Sequence, residues 1–185
     1  MKVLVFIANG TEDTELVTTL DLLKRAGIES KLVSLNTLEV TLSHGLVIKC
    51  DSTIRKLEIT EALSYDSVFL PGGSKGVERM LKCDRLMDIL KIFNFNNRVI
   101  SAICAAPKVL YKAGILDYKK FTCYDGCEEG IKGAFYMEKA PVVKDSNIIT
   151  GRSLNYSIDF SLELINVLLG EDAAFKVKKG ILKED

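Results

Sequence analysis

The sequence predicts an α/β protein: a mostly parallel sheet with helices covering both faces. Two observations predict it. Short apolar runs alternate with longer stretches of helical periodicity along the 185 residues. The apolar runs near the start and middle of the chain read as buried strands, as strands covered on both faces do.

The elements follow in order. Lys2–Ala8 reads as a strand. Asp13–Ala26 reads as a helix, with Leu16, Leu20 and Leu23 on one face and Gly27 as its stop. Glu29–Leu35 is a second strand, and Val40–Leu42 with Leu46–Cys50 form a hairpin across Ser43-His44-Gly45. A short helix over Ile59–Ser64 precedes the strand Ser67–Leu70, which ends in Pro71-Gly72-Gly73. Helices follow over Gly76–Leu81 and Arg85–Phe93. Val99–Ile103 is a strand, Pro107–Ala113 a helix capped by Gly114, and Phe121–Cys123 a short strand. Val142–Lys144 and Asn147–Thr150 pair across Asp145-Ser146, and helices over Tyr156–Leu169 and Glu171–Lys178 complete the chain. Neither linker nor repeat divides it, so residues 1–185 are expected to form one domain.

Composition excludes several classes. Lys plus Arg and Asp plus Glu balance at 25 each, which gives no electrostatic reason for nucleic acid or an anionic membrane as main partner. The apolar start, Val3–Ala8, is too short for a signal-peptide core or a membrane span, so a cytoplasmic location is expected. The five cysteines are odd in number and argue against a disulfide framework. Cys123 and Cys127 lack the further soft ligands a zinc site needs, and the single histidine, His44, is distant in sequence; no metal is expected.

Active residues in such folds collect at the carboxyl ends of strands. That rule selects Asn9–Glu15, Pro71–Lys75 and Cys104–Pro107. Gly10-Thr11-Glu12-Asp13-Thr14-Glu15 is neither a dinucleotide fingerprint nor a phosphate loop. Thr11 or Asp13 at the helix N-cap accounts for part of it. Glu15 fits capping less well, because helical spacing turns it toward Leu16 and Thr19. The Gly72-Gly73 turn either is a plain strand-to-helix connection or presents the Gly73 N–H to a site.

Cys104 is the predicted functional centre. It ends a strand, its neighbours Ala105 and Ala106 permit a tight elbow, and Pro107 suits a first helical turn. A helix start favours the thiolate, so a lowered thiol pKa is expected. A cysteine hydrolase also wants a histidine base. His44 falls in a hairpin turn away from the strand ends, which fits a surface or subunit contact better than catalysis.

These three motifs stand in the order and spacing of the ThiJ/PfpI superfamily. The chain resembles the branch of the parkinsonism-associated deglycase over nearly its whole length, including Lys24–Ile28, Tyr65–Val68, Thr150–Ser153 and Val177…Leu182–Asp185. The resemblance implies a flavodoxin-like three-layer sandwich, commonly a homodimer, with no cofactor. Cys104 matches the family's reactive cysteine, and Glu15 the acid whose protonated carboxyl donates to that sulfur. Gly73 and Ala105 match the amide donors of the oxyanion pocket, with Gly72 and Tyr124 as auxiliary positions. The implied activity is a cofactor-independent glyoxalase or deglycase reaction on methylglyoxal and related α-oxoaldehydes or their early adducts, with protection against oxidative stress. The alternative is a redox-sensing or chaperone-like protein in which Cys104 oxidises to a sulfinate with little turnover.

A thiolate beside an ionised glutamate is repelled, so one of the pair holds a proton. The sequence departs from the family pattern in three places. Tyr124 stands where many relatives carry a histidine. Ala105 stands where the protease-like branch has one, which argues against peptidase activity. His44 stands where relatives often carry a basic residue near the dimer interface.

Overall fold

The computed structural model describes residues 1–181; the Leu182–Asp185 part of the C-terminal likeness lies outside them. The first strand shows why the fold is layered. β1 (Lys2–Ile7) is apolar at five successive positions, and all five are fully buried. The pleat sends Leu4 and Phe6 to one face of the sheet and Val3, Val5 and Ile7 to the other. A strand with two apolar faces needs a cover on each.

The covers are helices. On one side pack α1 (Asp13–Arg25), α6 (Ser157–Leu169) and α7 (Glu171–Ile181), through Leu16, Leu23, Phe160, Leu164 and Val177. On the other pack α2 (Ile59–Ala62), α3 (Ser74–Leu81), α4 (Asp84–Phe95) and α5 (Pro107–Lys112), through Ala62, Val77, Leu86, Phe93 and Leu110. Each fully buried Leu or Phe contributes roughly 1.5–3 kcal/mol of transfer free energy. Phe69 and Phe160 add an aromatic contact across the first layer, with ring centroids 5.5 Å apart.

Besides β1, the main sheet contains β2 (Glu29–Ser34), β5 (Ser52–Thr53), β6 (Ser67–Leu70), β7 (Val99–Ile103), β10 (Val142–Asp145) and β11 (Ile148–Gly151). Its order is β10-β11-β7-β6-β1-β2-β5. Every pairing is parallel except that of β10 with β11. This is the expected flavodoxin-like arrangement. The predicted hairpin is also present, as β3 (Glu39–Thr41) against β4 (Val47–Lys49).

Four readings need correction. The strand expected at Phe121–Cys123 is β8 (Lys120–Phe121), and it pairs with β9 (Phe135–Tyr136) outside the main sheet. β5 and β9 carry two residues each, too few for any periodicity. α3 begins at Ser74, two residues before its predicted start, because Gly73 ends the preceding turn at φ +92°. The N-cap of α1 is Glu12, with no side-chain cap. Thr11 Oγ1 instead accepts the Ala8 N–H at 3.1 Å, and Asp13 is committed to the hairpin.

Candidate active site

β1, β6 and β7 lie side by side, so the loops at their carboxyl ends converge. Cys104 follows β7 directly with φ +64°, a left-handed conformation that costs a non-glycine residue about 1–3 kcal/mol. The surrounding backbone holds it there. Its N–H donates to Gly151 O at 2.9 Å, and its carbonyl accepts the Tyr124 N–H at 2.8 Å. Ala106 N–H closes the elbow on Ile103 O at 3.0 Å, and Pro107 opens α5.

Glu15 reaches the same point from the first turn of α1. It is fully buried, and its Oε2 accepts the Gly72 N–H at 2.8 Å. Gly72 is required by closeness: a Cβ there would stand 2.6 Å from Glu15 Oε2 and 2.7 Å from the Cys104 Cβ. Acid and thiol carbon therefore flank one spot that has no room for a methyl group. The other carboxylate oxygen, Oε1, is buried without a conventional hydrogen-bond partner. At Gly73 a Cβ would meet Gly10 O at 2.4 Å and the Glu12 N at 2.5 Å, so the loops after β6 and β1 pack backbone to backbone, and the Glu12 N–H donates to Gly72 O at 3.0 Å.

Burial pushes the Glu15 carboxyl up to about 7; the Cys104 thiol and the Gly72 N–H oppose that rise. The Cys104 thiol is also raised, by burial first and by the Glu15 charge second. The expected lowering by the helix start is not met. α5 has only six residues, and the Ala105 N–H facing the sulfur is outweighed. As a pair, the two groups release a first proton near neutrality and hold the second tightly.

The pair opens onto a cleft of about 610 Å³. Gly73, Ala105 and Tyr124 line it, as do Ser153 and Leu154 from the loop after β11. The N–H groups of Gly73 and Ala105 take no part in the backbone hydrogen bonds of the adjoining turns. Tyr124 is half exposed at the rim, while Cys123 next to it is fully buried in the opposite layer.

Several lining residues were not assigned to the site from the sequence, and His44 and Cys127 are two of them. His44 was placed away from the strand ends, yet it lines the cleft. The Asp13 carboxylate accepts the His44 N–H at 2.9 Å and the Leu46 N–H at 3.4 Å, which folds the hairpin turn over the start of α1. Burial tends to raise the Asp13 pKa, and these two amides with the His44 side chain outweigh it and hold the carboxyl below its usual range. His44 Nδ1 lies 3.5 Å from Glu12 Oε1 and 3.4 Å from Asp13 Oδ2. Glu12, Asp13 and His44 are the one group of potential metal ligands among the described residues, and the Asp13 oxygens in it already serve the hairpin. The second residue is Cys127, half-buried and lining the same cleft.

Fold and site first define a class: a flavodoxin-like α/β protein carrying a thiol in a strained strand-to-helix elbow, flanked by a buried acid. The chain belongs to the DJ-1/PfpI family, whose profile matches residues 1–167. It is 32% identical to protein dj-1beta of Drosophila melanogaster over 185 residues, covering 97% of this chain and 95% of that relative. It is also 32% identical to a deglycase of Pyrococcus horikoshii over 153 residues, covering 82% and 90% of the two chains. The crystal structure of Drosophila melanogaster DJ-1beta superposes with a TM-score of 0.91 at 32% identity, covering 100% of this chain and 98% of that one. Oxidized Toxoplasma gondii DJ-1 matches with a TM-score of 0.91 at 32% identity, over 97% of each chain.

Proposed function

We propose that this chain is a cofactor-independent, Cys104-dependent glyoxalase or deglycase acting on methylglyoxal, related α-oxoaldehydes or their early adducts. The observation that carries the reading is the pairing of Cys104 with a buried Glu15 whose carboxyl is pushed up to about 7. An acid of that strength both gives and takes a proton near neutral pH. The likeness to a relative named a deglycase supports the same reading.

Once the pair has lost its first proton, the Glu15 carboxylate takes the remaining one from the Cys104 thiol as the sulfur reacts. The sulfur attacks the aldehyde carbon and forms a hemithioacetal. The Gly73 and Ala105 N–H groups stabilise the developing oxyanion, with Gly72 fixing Glu15 and Tyr124 at the rim. Glu15 passes its proton to that oxyanion, and the carboxylate so regenerated removes the proton from the former aldehyde carbon and returns it to the neighbouring carbon. The product is a lactoyl thioester, which water cleaves to lactate and free Cys104. Neither metal nor cofactor enters these steps. Cys104→Ser removes the nucleophile, so lactate formation from methylglyoxal should fall to the uncatalysed rate. Unchanged turnover in that variant would end the proposal.

A second reading is favoured by Tyr124, which stands where a histidine base would serve turnover. In it Cys104 is an oxidation sensor in stress protection, forming a sulfinate with little catalysis. The relative solved in oxidized form supports it.

We further infer that the protein acts as a homodimer in the cytoplasm. Exposed apolar side chains around α1, the hairpin and the start of α6 support the first part. All five cysteines are free thiols, which suits a reducing compartment. Among the described residues no helix is long and apolar enough to cross a membrane, and the balanced charge offers no basis for nucleic acid as main partner.

A further inference from the structure

Cys127 lines the Cys104 cleft and the glyoxalase steps leave it unused. Its position is built through the backbone of Cys104 itself. Tyr124 N–H donates to Cys104 O at 2.8 Å, and Cys127 N–H donates to Tyr124 O at 2.8 Å. The second bond closes a four-residue turn whose third residue is Gly126 at φ +84°, the pattern of a type II turn. Two hydrogen bonds in series thus fold Cys127 back toward the elbow.

The turn is anchored at one corner and open beyond. Arg152 holds Asp125 through both guanidinium and carboxylate, with contacts of 2.8 and 3.0 Å from Nη2. Past it, Gly126, Gly130 and Gly133 all have positive φ and open space where a side chain would stand. Such a segment adjusts at low cost. Burial raises the Cys127 thiol above its ordinary range, so it carries its proton until it reacts. Cys123 differs from it: it is fully buried and belongs to the core on the other face.

We propose that Cys127 is the resolving thiol of Cys104, so that peroxide converts the pair to an intrachain disulfide in place of an irreversible sulfinate. The inference rests on the reactive Cys104 of the proposed function but not on turnover. In the first step the Cys104 thiolate attacks a hydroperoxide oxygen. The O–O bond breaks, sulfur gives up two electrons, and the leaving oxyanion takes a proton and departs as water or an alcohol. Cys104 is now a sulfenic acid. In the second step the Cys127 sulfur attacks the Cys104 sulfur and gives up its thiol proton. The S–O bond breaks, the departing hydroxide takes up that proton and leaves as water, and the S–S bond forms. The peroxide is the sole oxidant, and an external dithiol reverses the change.

The test is peroxide titration of the reduced full-length protein, followed by alkylation, tryptic digestion and mass spectrometry. Cleavage after Arg98 and Lys108 isolates Cys104; cleavage after Lys120 and Lys132 gives a peptide holding Cys123 and Cys127. The expected wild-type product is these two peptides joined with the loss of two hydrogens, and separated again by dithiothreitol. Fragmentation and a Cys123→Ser variant assign the bond to Cys127. In Cys127→Ser, Cys104 should instead gain two oxygens that dithiothreitol does not remove. Equal sulfinate in wild type and Cys127→Ser, a bond between Cys123 and Cys127, or an unreactive Cys104 would each overturn the proposal. Lactate formation by the reduced wild type is measured alongside. Its absence would end the glyoxalase reading while leaving the disulfide result standing.

Discussion

Glu15 is held in a state that folding alone would not choose. Its carboxyl is fully buried and titrates at about 7, against an ordinary value of 4.5. The folded protein therefore binds the Glu15 proton more tightly than the unfolded chain does. The resulting stabilisation is complete below pH 4.5 and is lost as pH rises through about 7. At ~1.4 kcal/mol per pKa unit the swing is about 3 kcal/mol. Glutamine is uncharged throughout and keeps an oxygen for the Gly72 N–H. Glu15→Gln should therefore flatten stability between pH 4.5 and 7 and raise Tm above neutrality. Lactate formation should fall by ~10²–10⁴ in the same variant, the range for lost proton transfer. Thermal melts from pH 4 to 8 beside lactate assays check both, and a variant that keeps the wild-type pH slope would remove the assignment. Wild-type kcat/KM should rise with pH up to about 7 and then level, as the pair loses its first proton. Much of this was legible in the sequence. The spacing of Glu15 turned it away from solvent, and Cys104 stood at a strand's carboxyl end. The thiol's raised pKa was not, because burial is set by parts of the chain remote from Cys104.

At the scale of elements, what could be read followed the length and apolarity of each segment. β1, β6 and β7 are apolar runs with both faces covered, and their place in the centre of the sheet follows from that. β5 and β9 exist through pairing with distant strands and leave no local trace. His44 illustrates the same limit at the site. Its entry into the cleft depends on Asp13, 31 residues earlier, accepting its N–H. No pattern within the hairpin encodes that bond. Asp13 is thus an anchor for the hairpin more than a dipole partner for α1. Asp13→Ala should open the His44 and Leu46 amides to water and cost about 1 kcal/mol locally. Hydrogen exchange at those two amides should speed up while β1 amides keep their protection. Equal exchange in both proteins would mean that something other than Asp13 holds the hairpin.

For the whole molecule, five of the exposed apolar groups lie on one set of neighbouring elements. Val17 on α1, Leu46 and Val47 on the hairpin, and Leu154 and Ile158 at the start of α6 are all exposed. The elements touch one another: Asp13 bonds the hairpin, and Ser161 Oγ on α6 donates to Thr19 Oγ1 on α1 at 3.0 Å. The proposed homodimer is expected to form through this face, since a stable interface removes roughly 800 Å² per partner and favours an apolar centre. Leu154 and His44 also line the cleft, so such an interface would border the candidate site. In that proposed dimer a partner seated here would narrow the mouth above Cys104. The wild-type protein should sediment at twice its 20.5 kDa chain mass. The double variant Val17→Glu, Leu46→Glu places unpaired charges at the centre of the face and should sediment as the single chain, with its far-ultraviolet dichroism retained. A wild type that sediments at 20.5 kDa at micromolar concentration, or a double variant that stays dimeric, would move the interface elsewhere or abolish it.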